Sequence, residues 1–139
     1  MLPEVFGCRE LKTYWTTKNG KEIDILENGK LSCAFLVSSL LLGFRGLLKE
    51  RHAGVRGLLR DMQECGWHEI APFERWPGSV VLWEVVRGNS HVGIGVSAMS
   101  ALSNCRERRV PVLHPWDTET DSRTPRAIEK IYWHDVLNE

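Results

Sequence analysis

The apolar positions of this chain follow two regimes. Between residues 31 and 66 they recur at three- and four-residue spacing; from Trp76 onward they come in short blocks separated by turn residues. In "LSCAFLVSSLLLGF", residues 31–44, and the stretch after it, Phe35, Leu36, Val37, Leu40, Leu41, Phe44, Leu47 and Leu48 cover most of a helical circumference. Such a pattern predicts a helix from about Cys33 to Glu50 in the middle of a fold. Ser32 is a good N-cap, although Phe35 stands where a capping box would carry Glu or Gln. A second helix is expected in "HAGVRGLLRDMQECGW", where Val55, Leu58, Leu59 and Met62 share a stripe and Gly66 is a natural stop. Cys65 extends that stripe and reads as a small core hydrophobe.

The second regime reads as strands. "WPGS" places Pro77 and Gly78 at the central positions of a type II turn. "SVVLWEVV" is a buried strand, "RGNS" a hairpin turn and "HVGIGV" the returning strand. "SAMSALSN" predicts a turn and a third strand, "RRVPVLHPW" a fourth and "AIEKIYWHDV" a last one, with polar "DTETDSRTPR" as a loop. Upstream, two Asn-Gly pairs flank the alternating piece "KEIDIL", which predicts a small hairpin. Helices followed by an antiparallel sheet imply an α+β fold, and 139 residues are most simply one domain with a real core.

Composition narrows the function. Lys plus Arg and Asp plus Glu number 18 each, so the basic excess that nucleic acid or an anionic membrane attracts is missing. The nearest basic cluster, "CRERRV", is interrupted by Glu107. The longest apolar run is too short for a transmembrane span. "MLPEVFGCRELK" has no basic leader ahead of an apolar stretch, which implies a cytoplasmic location by default, or export by another route. Cys8, Cys33, Cys65 and Cys105 are unevenly spaced without a CxxC, so neither a disulfide framework nor a metal site is expected, and no cofactor is implied.

Two positions carry candidate chemistry. Cys33 opens the first helix, where free N–H groups and the helix dipole favour a thiolate. On "HVGIGV", His91, Gly93 and Gly95 share one face while Val92, Ile94 and Val96 share the other. Two glycines beside a histidine imply that something approaches that face closely. A helix carrying a nucleophile is one such object, and a neighbouring imidazole would complete a thiolate–imidazolium pair. The other histidines read as structural or solvated: His52 as a cap or surface residue, His68 in an exposed link with Glu69, and His134 near the end. Six tryptophans are many for this length, and packing is the expected use of Trp76, Trp83, Trp116 and Trp133.

The segments "SCAFLVSSLL", "RWPGSVVLWE", "SHVGIGV" and "ALSNCRERRVPV" together resemble the NlpC-type and CHAP-type cysteine peptidases and amidases of the papain-like superfamily. The likeness runs from about residue 31 to 113, and "PGSVVLWE…HVGIGV" is its most specific part. It implies a papain-like α+β fold, with N-terminal helices packed on an antiparallel sheet, and catalytic residues Cys33, His91 and Asn104. The expected activity is cleavage of an amide bond through a thioacyl intermediate, with a peptide or peptidoglycan-like substrate. Asn104 would orient the imidazole; Ser103 and His114 are the alternatives for that role, and Tyr14 could add an oxyanion donor. The chain departs from the NlpC pattern in having Ser32, Ala34 and Phe35 around the cysteine and Ser79 in place of a common Asp. An acyltransferase or deamidase on the same scaffold, or an inactive peptide-binding domain, are the alternative outcomes.

Overall fold

The computed structural model describes residues 15–18, 21–24, 33–44 and 46–138. Cys8, Tyr14, Ser32 and the turns at both Asn-Gly pairs lie outside them. The described residues begin with a two-stranded hairpin, β1 (Trp15–Lys18) and β2 (Lys21–Asp24), where the sequence places one. Helices α1 (Cys33–Leu41) and α2 (Val55–Glu64) follow. The remainder is one antiparallel sheet: β3 (His68–Ile70), β4 (Val80–Val86), β5 (Asn89–Gly95), β6 (Ser100–Cys105), β7 (Val110–Pro115) and β8 (Ile128–Trp133), in the spatial order β3-β8-β4-β5-β6-β7. A short 3₁₀ turn covers Asp135–Asn138.

The expected α+β, papain-like architecture is therefore corrected. This is a small β-rich fold, a six-stranded antiparallel sheet with two helices of only 9 and 10 residues. The main reason lies after Leu41. The Leu42 N–H closes the last helical bond on the Ser38 carbonyl at 2.9 Å, and Gly46 then adopts φ +85°, a left-handed value that no helix continues through. Leu47 and Leu48, which extend the helical stripe in the sequence, are buried from an irregular segment instead.

Side chains hold that segment in place. Asp61 of α2 accepts the backbone N–H groups of Lys49 and Glu50 and the His52 Nε2–H at 2.7 Å, while the Cys65 thiol reaches it at 3.3 Å. Burial alone would raise this carboxyl, but the hydrogen bonds from His52, Lys49, Cys65 and Glu50 outweigh it and hold the pKa below the ordinary value. Trp67 Nε1–H donates to the Leu47 carbonyl at 2.9 Å, and the His52 N–H donates to Ser38 Oγ at 2.9 Å. His52 is thus a half-buried clamp rather than a surface cap. The short strand β3, where an exposed link was expected, pairs with β8; His68 on it is exposed and meets Asp135 at 2.9 Å.

Both faces of the sheet are covered. Ala34, Leu36, Val37 and Leu40 of α1 pack on Val80, Leu82, Val92, Ile94 and Leu102. The other face holds Val81, Trp83, Ala101, Trp116 and Ile131. The alternation that the strand sequences suggest is what divides these two sets. At the "WPGS" turn, Gly78 has φ +97° and the Ser79 N–H bonds the Trp76 carbonyl at 3.1 Å, as a type II turn requires.

Candidate functional site

His91 lies near the start of β5, directly opposite Trp83 on β4, so its imidazole stands on the Trp83 face of the sheet. The two rings are 5.1 Å apart and tilted by 35°. Its Nε2 is 2.9 Å from Ser103 Oγ on β6, and the same oxygen is 2.7 Å from His114 Nε2 on β7. The direction of these bonds follows from the far end. His114 Nδ1 lies 2.8 Å from the Pro115 carbonyl oxygen, which only accepts, so Nδ1 carries the hydrogen. Burial lowers the His114 pKa, so the ring is neutral and its Nε2 is an acceptor. Ser103 therefore donates to His114 and accepts from the His91 Nε2–H, and the lone pair of His91 sits on Nδ1. Burial first, then the charges of Arg126 and His114, hold the His91 pKa down to about 3.

The glycines acquire a concrete reason. A Cβ at Gly93 would stand 2.6 Å from the Leu102 carbonyl oxygen, 2.9 Å from Ser103 Cβ and 3.0 Å from Trp83 Cη2. At Gly95 it would run into the Trp116 ring. The expectation that something approaches this face closely is met by two indoles and Ser103, whereas α1 packs on the opposite, Val92 face.

Cys33 occupies the first position of α1, half-buried against the Val92 side. Burial raises its pKa; the backbone N–H groups of Val92, Ala34 and Cys33 itself, and the Arg126 charge, oppose this without overcoming it. Burial thus works against the charged forms of both side chains, and so against the expected resting thiolate–imidazolium pair. No hydrogen bond joins Cys33 to His91 among the described residues. The thiol meets the N–H of the residue next to His91 in the chain. Asn104 is buried on the Leu102-flanking side, one residue out of phase with Ser103, and it is Ser103 that bonds His91.

All three expected residues nevertheless border one cleft of about 1060 Å³, walled by the β4–β5 and β6–β7 hairpins, the start of α2 and the loop before β8. Arg126, which the sequence did not single out, also lines it. Its guanidinium donates to the carbonyls of Glu84 and Asn89 at 2.9–3.1 Å and lies 3.6 Å from Glu119. A second cavity, about 530 Å³ between α2 and β8, contains none of these residues. Among the described residues no group of three histidine, cysteine or carboxylate side chains converges as a metal site requires, and no helix is long and apolar enough to cross a membrane. No family model, curated protein or solved structure matches this chain.

Proposed function

We propose that this protein is a cysteine hydrolase that cleaves an amide bond, with Cys33 as nucleophile and His91 as general base. The observation that supports this most is the orientation of His91. Its Nε2–H is committed to Ser103, whose own proton is committed to His114, so Nδ1 remains a lone pair on a ring that borders the same cleft as the thiol. In this reading Ser103 and His114, the alternatives to Asn104, take the orienting role that the resemblance implies. Their aligned bonds hold one tautomer of His91, which is what a base acting through one nitrogen needs.

In this reading the resting pair is neutral, and proton transfer accompanies attack. The Cys33 S–H gives its proton to His91 Nδ1 through a water in the cleft that both side chains border, as sulfur bonds the carbonyl carbon. The protonated ring then returns that proton to the leaving amine as the C–N bond breaks. Water, deprotonated by Nδ1, next attacks the thioester, releasing the acid and restoring the thiol. The backbone N–H groups of Cys33 and Ala34, which face the sulfur, are the proposed donors to the carbonyl oxygen. Peptide amides, including those of peptidoglycan, are the proposed substrate class.

The test is acyl transfer to Cys33. Folded protein is exposed briefly to a peptide p-nitrophenyl ester at pH 8, quenched in acid and measured by intact mass and peptide mapping. The expected result is one acyl group on Cys33, formed roughly 100-fold more slowly or less in His91→Ala. An adduct that forms equally fast without His91, or no adduct on the folded chain, would overturn the hydrolase reading and leave a peptide-binding cleft.

A further inference from the structure

We infer that this cleft selects an acidic peptide, holding its carboxylates on Arg87, Arg106 and Arg108. The inference takes the cleft of the proposed hydrolase as the substrate site and adds the chemistry of what enters it. The chain as a whole is neutral, with 18 charges of each sign, yet the cleft wall is not balanced. It carries five arginines, at positions 56, 87, 106, 108 and 126, against Glu107, Glu119 and Asp121.

The acidic side chains are already engaged. Asp121 accepts the backbone N–H groups of Arg123 and Thr124 within its own turn, Glu119 lies beside Arg126, and Glu107 is met by the Cys105 thiol at 3.6 Å. Arg126 is committed to two carbonyls and Glu119. Among the described residues no ion pair or side-chain hydrogen bond holds the guanidinium of Arg87, Arg106 or Arg108. These forks are geometrically matched to carboxylates, which they bind in bidentate fashion.

Arg87 reaches the cleft from a tight turn. It and Gly88 are the two central residues of the β4–β5 hairpin, with φ of +51° and +76°. A two-residue turn of this kind favours Asn, Asp or Gly at the first position, and a long side chain there is conformationally disfavoured. The hairpin keeps an arginine where its backbone would fold better without one, and that arginine borders the cleft beside His91. Nucleic acid would also attract guanidinium groups, but the neutral chain lacks the basic excess on which phosphate-backbone binding depends.

The test uses Cys33→Ala, so that turnover cannot confuse binding, and fluorescein-labelled tetraglutamate and tetraglutamine peptides read by anisotropy. Tetraglutamate is expected to bind at least tenfold more tightly at 50 mM salt, with the gap closing at 500 mM. Arg87→Asn is expected to weaken it fivefold or more while raising the melting temperature, and Arg106→Gln with Arg108→Gln to weaken it comparably. Arg123→Gln, outside the cleft wall, is the control. Equal affinity for the two peptides, no binding of either, losses matched by the control, or a single-stranded oligonucleotide that displaces the peptide at lower concentration would each overturn the inference. If the acidic peptide binds but Cys33 never acylates, the hydrolase reading falls and this one stands; acylation without charge preference is the reverse.

Discussion

Gly93→Ala is the sharpest perturbation of the site available without touching a titratable group. The added methyl would stand 2.6 Å from the Leu102 carbonyl oxygen and 2.9 Å from Ser103 Cβ, where comfortable separation between carbon atoms is about 3.5–4.0 Å. The first contact is backbone, and Ile94 pairs with Leu102 in the β5–β6 ladder, so relief requires the two strands to part. Trp83 cannot yield instead. It is fully buried, and its Nε1–H is tied to the Trp116 carbonyl at 2.6 Å. Overpacking of this kind costs about 1–3 kcal/mol, and loss of glycine freedom in the unfolded chain returns about 0.4–1 kcal/mol. The net expectation is a destabilisation of about 1–2 kcal/mol. Urea unfolding measures it as a midpoint lowered by roughly 1 M for a slope of 1–3 kcal/mol per molar. Parting β5 from β6 also stretches the 2.9 Å His91–Ser103 bond, so Cys33 acylation should slow under conditions where the variant is still folded. A stability within about 0.5 kcal/mol of the parent, the range of inconsequential surface changes, would refute the argument that Trp83 and Ser103 require glycine here.

The His91 ring has a pKa of about 3 in the folded protein against an ordinary 6.5. Between those values the unfolded chain binds more protons, so stability is full above about pH 6.5 and is lost as pH falls toward 3. The contribution is roughly 2–5 kcal/mol; unfolding free energies at pH 4, 5 and 7 should show it. An equal pH slope in His91→Gln would assign the effect elsewhere. Asp61→Ala leaves the N–H groups of Lys49 and Glu50 and the His52 ring without their acceptor, and should cost about 3 kcal/mol, with faster amide exchange at Lys49 and Glu50. Unchanged exchange there would mean the segment is held by something else. Gly54 is the N-cap of α2, has an extended backbone and makes no side-chain cap, so Gly54→Ser should raise stability by about a few tenths of a kcal/mol, readable as a small rise in melting temperature; a fall would refute the cap argument.

Much of the sheet was legible because its signals are local. Period-2 alternation, "WPGS" and "RGNS" placed β4 and β5 closely, and the blocks assigned to β6, β7 and β8 are strands. The helical stripe runs past the end of the first helix. Leu47 and Leu48 fit a helical stripe and are buried, and burial from an irregular segment leaves the same imprint on sequence as burial from a helix. Which of Ser103 and Asn104 meets the His91 ring illustrates a different limit. Neighbours on a strand point to opposite faces, so the answer rests on how β6 registers against β5, where Gly93 pairs with Ser103. That register is set by the turn over residues 96–100, whose serines bond one another's backbone in a way composition does not announce. Arg126 gave no signal because it sits in a polar segment, and its role depends on carbonyls of β4 and β5 about forty residues earlier in the chain.

The strand order has a consequence for assembly. β8 lies between β3 and β4, so the residues at 128–133 bridge a gap that elements made some fifty residues earlier leave open. Until they arrive, the β4–β5–β6–β7 meander can form by short-range pairing, but β3 has no neighbour and β4 offers an unprotected flank. Pairings at such sequence separation are slow to close, and an open flank recruits other chains in the interval. Shortening the protein before Ile128 would accordingly remove an interior stave rather than a trailing end, and the products should be oligomers joined along β4.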